Sequence, residues 1–480
     1  MNTPLAARRT LSTLLFLSVT LLSSAQAGPP AESAAPYSPQ LIEEMTRIRD
    51  RALNDDYAYR QVAHLTENIG PRAVGSPQAD AATHYVADEL RQLGLEVRLE
   101  PVKVPHWIRG VERAELVRYP GQAQGTTQKI VLTALGGNAP TAQAGLTADV
   151  VVIKSFDELA QGGRRQVSGK IVLFNLPFDK RKADNGYALE AYEEAVQYRG
   201  RGPKAAADLG AVAALVRSVG DADYRIPHTG WSMPAGIPAG AVTSEDADLI
   251  ADLAAQGTVR MHLVLTSQTG PEVASYNVIG DLKGSENPEQ VVIVSGHLDS
   301  WDLGTGAIDD AAGVAGAMET AEIVKALNLH PKRTIRVIAW MDEENGGRGH
   351  EQYDRDYANI YGNHVAAIES DLGADHPLGF YAKVSGKALP LFEPVQKVLQ
   401  SFGANLIKTT QYSPGADIEP MARAGIPALG IIQDGRRYFK YHHTAADTLD
   451  KIDPQQLREN AAAMAVMGYA LADMAQPLPR

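Results

Sequence analysis

The 480-residue sequence contains no cysteine. Disulfides, thiol nucleophiles and thiolate metal ligands are therefore excluded, and any metal must be held by His, Asp and Glu. Basic residues are in the minority. There are 45 Lys and Arg against 57 Asp and Glu, a formal charge of −12, which argues against a nucleic-acid partner. Beyond the N-terminus no apolar stretch approaches the roughly 20 residues that a membrane-spanning helix needs. No G-x-S-x-G occurs, so a serine hydrolase of the α/β type would lack its nucleophile elbow. What remains is ordinary for a soluble globular protein: 44% hydrophobic and 21% charged residues, in a chain long enough for more than one domain.

The N-terminus is distinctive. Arg8 and Arg9 precede the apolar run Leu14 to Leu22, and Ala25-Gln26-Ala27 supplies a small-x-small cleavage pattern. Residues 1–27 read as a cleavable secretory signal, which predicts a secreted or periplasmic protein with no membrane attachment once it is removed. The apolar run is too short for an anchor.

The mature chain divides by texture. A Pro-, Ala- and Ser-rich lead-in covers about 28–40. Helical spacing over Leu41 to Ile69 stops at Gly70-Pro71, Ala81 to Leu93 repeats that spacing, and Leu95 to Val104 alternates as a strand. These fall in a segment, 28–125, that has no evident core of its own and belongs with the C-terminal region. From 126 to 265 the chain reads as an inserted β-rich domain with one or two helices, its helical stretch opening at Ala205. From 266 to 480 apolar strands alternate with helices. Val291 to Ser295, Thr334 to Trp340, Val365 to Ser370 and Pro427 to Ile432 are among the strands. The predicted fold class is α/β: a mixed, largely parallel sheet covered by helices on both faces. In such sheets ligands bind beyond the carboxyl ends of the strands.

The chemistry-bearing residues stand at those ends. One strand runs into His297 and Asp299, and a Gly-rich loop then leads to Asp309 and Asp310. A second runs into Asp342-Glu343-Glu344, a third carries Glu369 and Asp371, and Tyr441-His442-His443-Thr444-Ala445-Ala446-Asp447-Thr448 lies near the C-terminus. Imidazoles and carboxylates suit zinc, and a carboxylate can bridge two ions. A further carboxylate must stay off the metals and take the proton of the activated water. Adjacent glutamates after one strand can divide those tasks. Asp299, two residues beyond His297, is placed to accept a hydrogen bond from the second ring nitrogen of that histidine. Asp310 and Asp447 can equally be read as helix caps.

H-L-D-S-W-D, G-A-I-D-D, D-E-E-N-G-G, E-S-D and H-H-T-A-A-D-T resemble the motifs of the co-catalytic zinc aminopeptidase family. The likeness extends to P-H-T-G from Pro227 and P-K-R-T-I-R from Pro331, and so to nearly all of the mature chain. It implies the zinc-exopeptidase fold, a protease-associated-like inserted domain, two zinc ions and a homodimer. By motif, His297 and Asp371 would hold one ion, Glu344 and His443 the other, and Asp309 would bridge them. Glu343 would be the general base, Asp299 would stand behind His297, and a cis peptide bond would join Asp309 to Asp310. Asp342 makes the glutamate pair an acidic triplet, and His442 adjoins His443, so each motif admits a shifted register. The resemblance favours Glu343, Glu344 and His443. It also suggests a substrate-facing loop at Tyr412, Ser413, Gly415 and Asp417, and His228 is a further candidate contact.

The function expected is hydrolysis of dipeptides or short peptides by a metal-activated water. The alternatives are an aminopeptidase acting on longer peptides and a non-catalytic receptor on the same fold, which would lack ligands or base. A nucleotide-binding oxidoreductase is disfavoured, because His297 and Asp299 stand where the tight glycine turn should be and Gly304-Thr305-Gly306 is an incomplete fingerprint.

Overall fold

The alternation of buried apolar residues along Val291 to Val294 builds the centre of the molecule. Val292 and Val294 pack into one core cluster, with Ile335, Val337 and Ile368. Val291 and Ile293 pack into another on the opposite face, with Ile338, Trp340 and Ala367. A strand whose odd and even residues are both buried must lie inside a sheet covered twice. A computed structural model describes residues 36–220 and 222–480 of the chain. The predicted signal lies outside the described residues. Residues 36–480 form one compact unit, and among the described residues no helix is long and apolar enough to cross a membrane.

The central sheet has eight strands in the order Glu96–Ile108, Gln268–Leu282, Arg333–Trp340, Asn287–His297, His364–Glu369, Ala428–Gln433, Pro377–Lys383 and Leu406–Thr409. The four strands from Arg333–Trp340 to Ala428–Gln433 run parallel. The pairings of Gln268–Leu282 with both its neighbours, and of Pro377–Lys383 with Ala428–Gln433, are antiparallel, whereas Pro377–Lys383 pairs in parallel with Leu406–Thr409. The sheet is thus mixed, with four of its seven pairings parallel, as the sequence predicts. The antiparallel pairings lie toward its flanks, where strand order is set by long-range pairing that no local pattern encodes. Helices Ala312–Ala326 and Pro454–Asp473 cover one face; most of their residues are buried, and small side chains allow close packing.

The first predicted helix is three elements, Pro39–Ala52, Tyr57–Ala63 and a π turn His64–Ile69. The break occurs where the Asp55 carboxylate accepts the backbone N–H groups of Asp56 and Tyr57, a local bond that competes with the helix. Ser38-Pro39 and Ser76-Pro77 start helices as cap and first residue.

A second eight-stranded mixed sheet is drawn from Glu112 to Leu265, so its first strand, Glu112–Arg118, precedes residue 126. Four helices accompany it among the described residues, more than the one or two predicted. Of these, Ala188–Asp208 is 21 residues long, whereas the sequence pattern suggests helix only from Ala205. Gly200, Gly202 and Pro203 obscure its periodicity. Gly202 is there for contact: a Cβ would come within 2.9 Å of the Phe174 ring.

One core residue gives a pH prediction. Glu319 is fully buried on Ala312–Ala326. One carboxylate oxygen accepts the Ala58 N–H at 3.0 Å, and the other has no partner among the described residues. Burial, with Asp55 and Glu322 nearby, pushes its pKa up to about 8. The folded state therefore binds a proton that the unfolded chain releases near its ordinary value of about 4.5, so stability falls as pH rises between those two values. Glu319→Gln keeps the acceptor and removes the charge. Unfolding midpoints measured from pH 5 to 8 are expected to decline in the wild type by the equivalent of a few kcal/mol (order of magnitude), and to be flatter in the variant. Parallel curves for the two proteins would refute this.

Candidate metal centre

Each buried strand delivers its polar residue at its carboxyl end, and glycines permit the loops to close. Gly296 and Gly313 touch: a Cβ on either would collide with the Asp310 carboxylate. Asp310 can therefore accept from His297 N at 3.1 Å and from Gly313 N at 2.9 Å, fixing the strand end to the helix start. The Asp309–Asp310 peptide bond is cis. Asp447 accepts the N–H groups of Ala307 and Ile308 at 2.8 Å each, which holds the Gly-rich loop from its other side.

This scaffold brings two donor groups together around one carboxylate. His297 Nε2 lies 3.1 Å from Asp309 Oδ1 and 3.3 Å from Asp371 Oδ1. His443 Nε2 lies 3.3 Å from Asp309 Oδ2 and 2.9 Å from Glu344 Oε2. Thus His297, Asp309 and Asp371 form one cluster able to hold a metal ion, and Asp309, Glu344 and His443 form another, with Asp309 common to both. Glu344 Oε1 and Asp371 Oδ1 are buried without a hydrogen-bond partner among the described residues. Buried orphan acceptors of this kind demand a cation or a donor. A nitrogen-and-oxygen donor set without sulfur fits zinc.

The three acids of the triplet have different surroundings. Asp342, at φ +75°, is buried and turns its carboxylate to Arg348 N at 3.2 Å. Glu343 lines the adjoining cavity of about 560 Å³, together with Glu344, Asp309 and Asp371. His442 stacks on His443 at 3.7 Å between ring centroids, and its Nε2 stays 3.5 Å from Asp309 Oδ2.

Residues 277–467 match Peptidase family M28. Human carboxypeptidase Q is 38% identical over 430 residues, spanning 88% of this chain and 87% of that protein. The chain belongs to peptidase family M28. A crystal structure of an M28 peptidase precursor from Shewanella amazonensis superposes with a TM-score of 0.85 at 34% identity, covering 92% of this chain and 99% of that one. A zinc aminopeptidase from Bacillus subtilis shares the fold, with a TM-score of 0.62 at 22% identity over 88% of this chain and 98% of that one.

Within this M28 site, Asp299 is oriented otherwise than expected. The His297 Nδ1–H donates to the Asp299 backbone carbonyl at 2.9 Å, and the carboxylate is 4.0 Å away. The carboxylate instead accepts the N–H groups of Asp342, Glu343 and Glu344 at 2.8, 3.2 and 3.3 Å. A carboxylate at a turn is drawn to the converging backbone donors, and the histidine is served equally well by a carbonyl. Asp299 therefore shapes the turn that presents Glu343 and Glu344.

The substrate contacts expected from the sequence separate. Tyr412 and Ser413 line a second cavity of about 860 Å³ that shares Asp371 and Leu372 with the first. Asp417 is buried and accepts from His350 Nδ1 at 2.9 Å. His228 is buried, with its Nε2 on His442 Nδ1 at 3.1 Å, and lies behind the site rather than on a cavity wall.

Two arginines escape sequence reasoning. Arg72 is fully buried and donates to the carbonyls of Leu298, Thr305 and Gly306 at 2.7 Å each, tying the loop after His297 to the loop before Asp309. Arg199, 9% exposed on Ala188–Asp208, lines the first cavity. Its Nη1 donates to Tyr192 Oη at 2.8 Å, and Nη1 also lies 3.1 Å from His443 Nδ1. A Cβ on Gly230 would overlap its guanidinium. Neither arginine sits in a local pattern that could have marked it.

Charges in the centre act on one another. Burial opposes charging of His297 and His443. Asp371 and Asp309 nevertheless raise the first well above its ordinary range, and Glu344 and Asp309 raise the second to about 9. Burial raises Glu343 well above the usual carboxylate range and Glu344 to about 7.

Proposed function

We propose that this M28 chain is a zinc-dependent exopeptidase that hydrolyses dipeptides or short peptides and reads their free carboxyl end. The observation that carries the proposal is Asp309, which stands between two His–carboxylate clusters with Glu343 beside them on the cavity wall. His297 and Asp371 would hold one zinc ion, Glu344 and His443 the other, and Asp309 both. Bound there, the ions supply a water of lowered pKa and polarise the scissile carbonyl.

The protein's own groups do the rest. The Glu343 carboxylate takes a proton from the attacking water and returns it to the amide nitrogen as the C–N bond breaks. A carboxyl whose pKa is raised by burial suits a group that must both accept and return a proton. Asp299 fixes the turn from which it acts. Tyr192, Trp231, Tyr438 and Phe439 supply apolar walls that hold a short substrate and limit water. Family likeness further supports an exported homodimer with a protease-associated-like second-sheet region.

Arg199 supports the carboxyl-end reading. None of the ion pairs among the described residues involves it. A buried guanidinium without a counter-ion is costly unless an anion completes it, and the anion at hand in a short peptide is its α-carboxylate. The names of the relatives divide on this point, since the human protein is a carboxypeptidase and the Bacillus proteins are aminopeptidases. The test is kcat/KM on a dipeptide and its C-amidated form. The free acid is expected to be preferred, and Arg199→Ala to lose about 10- to 100-fold on it and little on the amide. Preference for the amide in the wild type would instead indicate the alternative, an aminopeptidase of longer peptides.

A further inference from the structure

The loop between strands Ala213–Arg217 and Ala239–Val242 of the second sheet reaches directly behind the metal centre. Thr229 N donates to the His443 carbonyl at 2.9 Å. Next to it, His228 is 1% exposed and places Nε2 3.1 Å from His442 Nδ1, with ring centroids 5.1 Å apart and planes inclined at 62°. His442 Nε2 in turn lies 3.5 Å from Asp309 Oδ2. Packing around this line is tight: a Cβ on Gly220 would lie 2.5 Å from the Phe439 carbonyl and 3.4 Å from His228 Nδ1.

Only one proton can lie between two neutral imidazoles, so the line admits two orders. In the first, His228 Nε2–H donates to His442 Nδ1, and His442 presents Nε2–H to Asp309. In the second, His442 Nδ1–H donates to His228 Nε2. That leaves a bare His442 Nε2 facing a carboxylate and moves the proton of His228 to Nδ1. The far nitrogen decides. His228 Nδ1 is buried without a hydrogen-bond partner among the described residues. The second order therefore strands an N–H with no acceptor and sets a lone pair against an anion. The first puts the lone pair where no donor is and an N–H where the anion is.

We propose that His442 is a positioning residue rather than a metal ligand, locked by His228 in its Nε2–H tautomer so that it steadies the Oδ2 side of Asp309. His443, its stacked neighbour, remains free to face the cluster with Glu344. The proposal rests on the function proposed above, in which Asp309 joins two ions. It also gives the second-sheet region a direct hold on the metal centre.

The test uses the full-length zinc-loaded protein labelled with ¹⁵N-histidine. Long-range ¹H–¹⁵N spectra, assigned with His228→Gln and His442→Gln, are expected to show His228 and His442 both protonated at Nε2 and bare at Nδ1. A His442 protonated at Nδ1 overturns the proposal whatever the variants do. Zinc affinity, measured by chelator competition on folded variants, is expected to fall about 10- to 100-fold in each with the number of ions per chain unchanged, and to fall no further in the double variant. Loss of one ion per chain from His442→Gln would make His442 a ligand, and unchanged affinity in both variants would make the line ornamental; either result overturns it. A wild type that binds no zinc would sink the proposed function as well, whereas a zinc-binding peptidase with the other tautomer sinks this inference alone.

Discussion

Glu343→Gln is expected to lower kcat by about 10²- to 10⁴-fold while the zinc content of the protein stays unchanged. Glutamine keeps the shape and hydrogen-bonding reach of the side chain but cannot take a proton, and loss of a positioned general base typically costs that much. Glu343 belongs to none of the clusters that could hold a metal ion, although the neighbouring Glu344 does. The metal count thus separates the two adjacent acids. The same change at Glu344 should disturb zinc binding first and catalysis as a consequence. The variant and wild type would be compared by steady-state kinetics on a dipeptide, alongside metal analysis of each preparation. Activity close to wild type in Glu343→Gln would falsify the assigned proton transfer. Retained activity loss with lost zinc would instead shift the register of the triplet by one residue.

Asp309→Ala should be the most damaging single change in the centre, abolishing measurable turnover and reducing zinc content by more than one ion in two. Its two oxygens face different histidines, His297 at 3.1 Å and His443 at 3.3 Å, so removing it dismantles both clusters at once. Removing Asp371 or Glu344 dismantles only one. A bridging carboxylate also keeps two like-charged ions in one small site, and that repulsion is large at low effective dielectric. Metal analysis and zinc titration of Asp309→Ala, Asp371→Ala and Glu344→Ala provide the comparison. If Asp309→Ala still binds two ions as tightly as the wild type, Asp309 is not the shared ligand. The folding of each variant is checked by thermal unfolding, since Asp310 and Asp447 brace the same loop independently of any metal.

The metal-binding candidates were legible because strands ending in His297, Glu344 and Asp371 have no structural need for those residues there. The positions fall at the carboxyl ends of parallel strands, where the chain leaves the core and side chains converge. Asp299 was found for the right neighbourhood and the wrong contact. Its spacing from His297 could not show that three backbone N–H groups of a turn more than 40 residues onward would capture its carboxylate. Arg199 was harder still. Arg199 meets His443 across 244 residues of sequence, on a helix whose glycines and proline hide its periodicity.

The sequence by itself determined the absence of thiol chemistry, the α/β alternation, the residue types for a His–carboxylate centre and the family to which the chain belongs. These are carried by composition, by short-range periodicity and by motifs a few residues long, all of which act locally. Tertiary structure decided which oxygen or nitrogen each group presents. It turned Asp342 away, set Glu343 on the cavity wall, and placed Asp309 between two histidines. It also sealed Arg72 among three carbonyls and left Arg199 without a counter-ion among the described residues. Those outcomes depend on where buried polar groups find partners once the sheets have closed. A buried donor or acceptor takes whatever neighbour the fold supplies, however distant in sequence.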